Sequence, residues 1–591
     1  MTAEIAAALD PKKIFYNRFL LIVAGFGGLL YGVDVGIIAG ALPYLEATSG
    51  LNSNQLSIVV AAVLLGSVIS TLFAGLLADL MGRRLLMCLS GIMFVISIPT
   101  IALSQGYQSL VLGRLLQGVS AGLIGVVVPL YLAESLSASD RGKGTGIFQW
   151  LLTAGIAIAA ILGLYFSFRL DHVVQLGDAQ AILNFKNAAW RGIFWVSLPP
   201  GIVFVIGSLM LAESPRWLLR RGKQEAALAA LLRSRSTDQA NLELKEMQDV
   251  IASERTSSGA KTKETLLRRK YVIPFILACI ILACNQATGI NSIIAYNTNI
   301  LIQSGLSDLN AHIGYVIFTL VNFSVTALGV ALVDRKGRKF LLGIGTAGII
   351  VSMAAAGFIF HGSEKLRVDV KSAVQAMVPS EQKLTLPYNE DAAARLLNSA
   401  GASAVSSPTS LVVIYSCGDF RTATQAVRSD DKAAKPLEIT RDNCVPANKV
   451  IAFFSNPFGN VDAARSAPLT IDNALITPIP GANNGWLVAV TLFIFMAFYA
   501  VGPGVCVWLA LSELMPTRIR SNGMSIALLL NQAVSTTIAA IFLPTVGKYG
   551  YGTMFFAFAL CTLIYFVTAV WFLPETKGKT LEEIEAHFEK A

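Results

Sequence analysis

Asp34 is the only charged side chain between Arg18 and Glu46, inside the run FLLIVAGFGGLLYGVDVGIIAGALPYL. A run of that length spans a bilayer, and an isolated carboxylate within it is costly unless it faces a cavity or a partner. A carboxylate snorkelling from a helix end fits poorly, because Asp34 lies sixteen residues beyond Arg18, about 24 Å along a helix. The chemistry open to such a group is uptake and release of a proton. Arg114 sits at comparable depth in the fourth apolar segment. It reads either as the charge partner of Asp34 or as an interfacial arginine reaching head groups. The seven cysteines lie far apart without a CxxC pair and the four histidines are scattered, so zinc, haem and other cofactors are not expected. No nucleophile–base set points to an enzyme.

These residues need a frame, and composition supplies it. The 591-residue chain is 54% apolar and 14% charged, with mean hydropathy +0.61, against about 25% charged residues in soluble domains. The net charge of +9 is carried in loops between apolar segments, which suits the positive-inside rule better than nucleic-acid binding. Twelve apolar segments are expected, six within 1–212 and six within 272–361 and 485–573. Basic clusters at Lys12–Lys13, Arg83–Arg84, Arg141–Lys143, Arg335–Lys339 and Arg518–Arg520 put those loops and both termini in the cytoplasm. Segment 213–271 reads as short cytoplasmic linker helices, and 574–591 as a cytoplasmic tail.

The two halves repeat each other. Asp79, Gly82 and Arg83 follow the second segment as Asp334, Gly337 and Arg338 follow the eighth. Glu134 precedes Arg141 by seven residues, as Glu513 precedes Arg520. Basic loops alone do not require matching Asp, Gly and Glu positions, so duplication of a six-helix unit is expected, as in transporters built from parallel repeats. Asp79 to Glu134 is 55 residues and Asp334 to Glu513 is 179, so 124 extra residues lie between the ninth and tenth segments. This insertion, 362–484, is expected outside the membrane. It has helix-like stretches (SAVQAMV, NEDAAARLLNSA) and strand-like runs at 410–416 and 449–455. Its two cysteines, Cys417 and Cys444, are either a disulfide or two unpaired thiols.

The motifs Gly28-Leu-Leu-Tyr-Gly-Val-Asp34, Asp79–Arg84, Gly113-Arg114, Glu213-Ser-Pro-Arg216-Trp217, Gly289-Ile290-Asn291 and Pro574-Glu575-Thr576-Lys577-Gly578 occur in this order. Together they resemble the sugar porter family of the major facilitator superfamily over the whole chain except the insertion. The resemblance implies an all-α membrane protein of twelve helices in two six-helix bundles. It implies uptake of a hexose or similar monosaccharide, with Asp34 and Arg114 coupling a proton. It further implies a sugar site from Gln149, Asn285, Gln286, Asn291, Asn322, Trp508 and Asn531. Asp79, Arg83, Glu134, Arg141, Asp334, Arg338, Glu513 and Arg520 would form a cytoplasmic gate, salt bridges between the bundles that latch the inward side shut in the outward-open state. Asn285 stands where the family often has Gln, Gln532 where Trp is frequent, and Ala500 where many facilitators carry Glu. A passive uniporter and a proton-coupled inositol or polyol carrier are therefore the alternatives, and a sugar sensor is a rival from another class. The expected setting is a monomer in a bacterial inner membrane, with a sugar, a proton and the lipid bilayer as partners.

Overall fold

The computed structural model describes residues 11–136, 138–257, 269–575 and 588, apart from breaks at 380, 403–406, 432–433, 447–451, 453–455, 457 and 516–519. Eleven helices among these residues are long and apolar enough to cross a membrane. The last, Ile526–Phe572, is two spans joined at Gly550, whose φ of 91° and ψ of 166° break the helix. Twelve spans result. In the first bundle they are α1 (Pro11–Ser49), α2 (Ser53–Met81), α3 (Arg83–Ala102), α4 (Tyr107–Ser135), α5 (Ala138–Gln175) and α6 (Ala179–Met210). The second bundle begins with α7, in three pieces (Arg269–Ala287, Ile290–Ala295 and Asn297–Gln303). It continues through α8 (Asp308–Lys336), α9 (Arg338–Glu364), α10 in two pieces (Ala482–Val501 and Pro503–Leu514), α11 (520–549) and α12 (551–572).

Lipid offers no hydrophobic drive between helices, so close contact depends on small residues. Gly28, Gly32 and Gly36 of α1 lie against the α5 backbone at Phe148, Leu152 and Ile156, and Gly40 meets Gly163. A Cβ at Gly32 would overlap the Leu152 carbonyl oxygen, and neither backbone can yield locally. Gly66, Gly118 and Gly122 join α2 to α4 in the same way. The stripe holds Asp34 at a fixed depth. Gly32→Val is therefore expected to destabilise the first bundle by at least the roughly 1–3 kcal/mol of ordinary overpacking, read as a lower Tm of the purified protein.

The repeat is visible atom by atom. Gly82 has φ 94° and ψ 159°, and Gly337 has φ 92° and ψ 159°; each joins one membrane helix to the next. The Glu213 carboxylate accepts the N–H groups of Arg83 and Arg84 at 2.9 and 3.1 Å. Glu575 accepts those of Arg338 and Lys339 at 3.2 and 3.3 Å. Each glutamate thus satisfies the free amides at a helix start, where the helix dipole also favours negative charge. Three short helices, Pro215–Arg220, Gln224–Leu232 and Thr237–Ser257, fill the linker. Arg235 anchors them to the first bundle by donating to the Ser135 carbonyl at 2.6 Å.

The insertion lies between Glu364 and Ala482 and adds β-structure to an otherwise helical protein. Among the described residues there are seven strands: β1 (Val368–Asp369), β2 (Lys383–Leu386), β3 (Thr409–Cys417), β4 (Phe420–Ala423), β5 (Val427–Arg428), β6 (Leu437–Thr440) and β7 (Leu469–Pro478). Five form one antiparallel sheet in the order β1-β7-β3-β4, with β5 also on β3, while β2 pairs with β6. Strand β3 is central and buried on both faces, which accounts for its unbroken apolar run; β2 alternates buried and exposed. Leu411 pairs with Ile476 and Val413 with Ala474 in the core of the sheet. The expected helices appear as Lys371–Ala376 and Glu390–Ser399, and the expected strand at 410–416 is β3. The expected strand at 449–455 falls mostly outside the described residues.

The sheet rests on the ends of both bundles, which form the insertion end of the molecule. Asn52 donates to the Asn443 carbonyl at 2.8 Å and Ser53 to that of Thr424 at 2.8 Å. Arg428 donates to the Ile302 carbonyl at 3.1 Å.

Candidate functional site

The amides converge because α7 is broken. Gly289 takes a left-handed φ of 84°, open to glycine at little cost, so the helix stops at Ala287 and restarts at Ile290. The break turns Asn291 back onto Gln286, donating to its side-chain oxygen at 3.0 Å. Gln286 donates to Asn531 of α11 at 3.2 Å, and Asn291 also reaches Ser535 at 2.7 Å. Asn531 is fixed in turn by donating to the Leu282 carbonyl at 2.9 Å. Beside this group, Asn285 donates to Tyr499 of α10 at 3.4 Å, while its buried side-chain oxygen has no partner. Each amide offers both donors and an acceptor, the complement of a hydroxyl that does both.

The sequence-predicted site is therefore assembled in part. Gln286, Asn291 and Asn531 form one network and Asn285 adjoins it. Asn322 of α8 bonds Thr326 at 3.3 Å instead, and Gln149 of α5 is exposed without a hydrogen bond to the cluster. Next to these two, Trp150 packs on Phe323 with ring centroids 5.1 Å apart, bringing α5 of one bundle against α8 of the other. The Trp508 side chain lies outside the described residues. Ser535 and Tyr499 belong to the cluster although they were not expected there. Ser535 is one helical turn beyond Asn531, which was a usable signal; nothing local marks Tyr499.

Asp34 and Arg114 are both 1% exposed and face each other at 3.8 Å, beyond hydrogen-bonding distance. Both Asp34 carboxylate oxygens are buried and unpartnered. Arg114 instead donates to Gln117 at 2.6 Å and lies 5.7 Å from the Phe194 ring. A carboxylate locked by a bidentate arginine would have to break two bonds to gain a proton. This one breaks none, yet its charge is balanced nearby.

Four of the expected gate residues, Asp79, Arg83, Glu134 and Arg338, have described side chains. Arg83 pairs with Asp79 at 2.8 Å and with Glu134 at 2.8 Å, all within the first bundle, and Ser214 donates to Glu134. Arg338 donates to the Val333 carbonyl at 3.4 Å, within the second. The side chains of Arg141, Asp334, Glu513 and Arg520 lie outside the described residues. Among the described residues, hydrogen bonds between the bundles gather toward the insertion end. Tyr44 and Ser167 donate to Asp308, the first of these at 3.1 Å. Asn299 donates to Glu46, and Tyr315 to the Gly36 carbonyl at 3.0 Å. The bundles are closed together at that end.

A doubled six-helix bundle with a broken helix presenting amides in its middle defines a membrane transporter working between two half-bundles. The model of the family "Sugar (and other) transporter" matches residues 20–378 and 470–588, leaving out most of the insertion. The chain belongs to this family, the sugar porters of the major facilitator superfamily, and is an integral membrane transporter rather than an enzyme. It is 26% identical to the glucose transporter GlcP of Staphylococcus epidermidis, over 96% of this chain and 97% of that one. It is also 26% identical to the human proton myo-inositol cotransporter, over 99% and 84% respectively. Among solved structures it resembles the xylose transporter XylE from E. coli in a partially occluded inward-open conformation. There the TM-score is 0.63 and the identity 19%, over 96% of this chain and 99% of that one.

Proposed function

We propose that this protein takes up a monosaccharide or a similar cyclic polyol together with a proton by alternating access. The observation that carries the coupling is Asp34, a buried carboxylate with no hydrogen bond and an arginine just out of reach. The amide network of Gln286, Asn291 and Asn531 supports a neutral hydroxylated substrate, because it offers paired donors and acceptors without net charge. The glucose and myo-inositol carriers among the relatives support that class and leave the individual sugar to experiment. Lysines and arginines at one end of the bundles support a cytoplasmic face there, with both termini, and the insertion outside. Bacterial relatives support the plasma membrane of a bacterium, and the complete pair of bundles supports a working monomer.

The test is uptake by proteoliposomes of the full chain, offered a panel of labelled hexoses, pentoses and inositols with and without an imposed pH gradient. Gradient-dependent accumulation of one neutral polyol is the expected result. Equilibration that ignores the gradient would instead make the protein a uniporter. Binding without any flux would make it a sensor.

The insertion carries its own prediction. Cys417 and Cys444 are both buried and unbridged here, neighbours in the core of the insertion, with the Cys444 thiol donating to the Phe420 carbonyl at 3.2 Å. The neighbouring Cys444 side chain, with the nearby Arg441 charge, holds the Cys417 thiol below the ordinary thiol range. A thiolate-prone sulfur beside a thiol in an oxidising space forms a disulfide readily. Denatured, unreduced protein recovered from the membrane is expected to titrate five of its seven thiols, and seven after reduction. Seven in both samples would leave the pair reduced.

A further inference from the structure

Between the insertion and the ends of both bundles lies a cavity of about 690 Å³, separate from the amide cluster. Sites for small ligands usually occupy roughly 300–1,000 Å³, so it has room for a sugar-sized molecule and some water. Its walls come from three parts of the chain. The first bundle contributes Glu46 and Lys186, the second Asn299 and Asp308, and the insertion Arg428 and Asp431. The exposed Gly50 and Gly177 stand at its rim.

Most of the charges in this chamber are already engaged. Arg428 bonds Asp430 through two nitrogens, at 2.9 and 2.8 Å, and Lys186 bonds Asp431 at 3.3 Å. Asp308 accepts from Tyr44 and Ser167, and Glu46 accepts from Asn299. The remaining lining charges, Lys435 and Glu438, are exposed and opposite in sign, and Lys435 already donates to the Thr48 carbonyl at 2.6 Å, so an ionic ligand would compete with existing contacts. The side-chain oxygen of Asn299, a residue only 8% exposed, has no partner in a wall otherwise well satisfied. A buried acceptor without a donor costs free energy until a donor reaches it. A neutral compound bearing hydroxyl groups supplies that donor and leaves the ion pairs intact.

We infer that this chamber is a second binding site for a neutral polyhydroxylated compound, distinct from the central amide cluster. Its shape exists only while the two bundles are closed together beneath the insertion. A ligand held there stabilises that closed state by mass action and delays reopening toward the insertion side. High sugar on that side therefore slows its own transport. The inference takes from the proposed function only that the chain is a transporter; the ligand class comes from the chamber itself.

The test is equilibrium dialysis of the purified full chain against D-glucose and, separately, myo-inositol. Two molecules of the preferred compound are expected per chain. The central variant Gln286→Ala/Asn291→Ala is expected to keep one. Ala434→Trp, which fills the chamber from a loop of the insertion, is expected to keep the other, with unchanged transport at low sugar. Uptake that declines at high sugar in the parent protein should rise to a plateau in Ala434→Trp. Asn299→Ala, which removes the unpartnered acceptor, should lower chamber affinity at least several-fold, and thermal melting of each variant without sugar checks folding. A single bound molecule that the central variant abolishes would overturn the chamber, as would two molecules still bound by Ala434→Trp. No binding of either compound would overturn its ligand class. A single molecule lost in Ala434→Trp but kept by the central variant would uphold the chamber and count against the central site.

Discussion

Asp34→Asn is expected to abolish accumulation driven by a proton gradient while sparing sugar exchange. The substitution keeps the size and polarity of the side chain and removes only its titration. One unit of pH across the bilayer is worth about 1.4 kcal/mol, so one-for-one coupling supports roughly tenfold accumulation. In the Asn variant the internal-to-external ratio should fall to one. Exchange of labelled for unlabelled sugar requires no net proton movement and should continue, somewhat slowed, because Arg114 then lies buried without a countercharge. The pairing of the two measurements is what makes the test decisive. A carboxylate that only supports the fold would lose both activities together, or neither. Accumulation against the gradient by the Asn variant would remove Asp34 from the coupling.

The second large effect is expected in the amide cluster. Gln286→Ala removes a donor to Asn531 and an acceptor for Asn291, and Asn291→Ala also strands Ser535. Leaving such buried groups unmatched costs about 1–3 kcal/mol, which is roughly 5–150-fold in sugar affinity. Because the two residues share a hydrogen bond, the double variant should lose less than the product of the single losses. Asn322→Ala serves as the comparison, since its described hydrogen bond runs to Thr326 outside the network. Isothermal titration of the purified variants measures all four, and equal affinities throughout would take the sugar site elsewhere.

Much of the architecture was legible in the sequence because it is local. A stretch of apolar residues spans a bilayer wherever its partners lie, so hydropathy alone marked the spans and the lone carboxylate at Asp34. The repeat was legible because Gly82 and Gly337 must take the same positive φ, and only glycine does so cheaply. The insertion was measurable because duplication supplied a ruler. Within it, the strand at 410–416 was legible from its apolar run, but its main partner, β7, carries a mixed pattern and was not recognised.

What the tertiary structure decided is which distant groups meet. Gln286 and Asn531 are 245 residues apart, and Ser535 and Tyr499 enter the cluster only because α10 and α11 pack beside the broken α7. The partners of Arg83 followed from packing within the first bundle. The bundles join through Asp308, Glu46 and Gly36 at the insertion end, while Arg83 pairs with Asp79 and Glu134 of its own half. The chamber beneath the insertion is equally invisible in the sequence, being made of three segments that share no local pattern. Helix formation and membrane insertion depend on neighbours along the chain, whereas a binding site depends on close packing between surfaces that the chain brings together only after those helices exist.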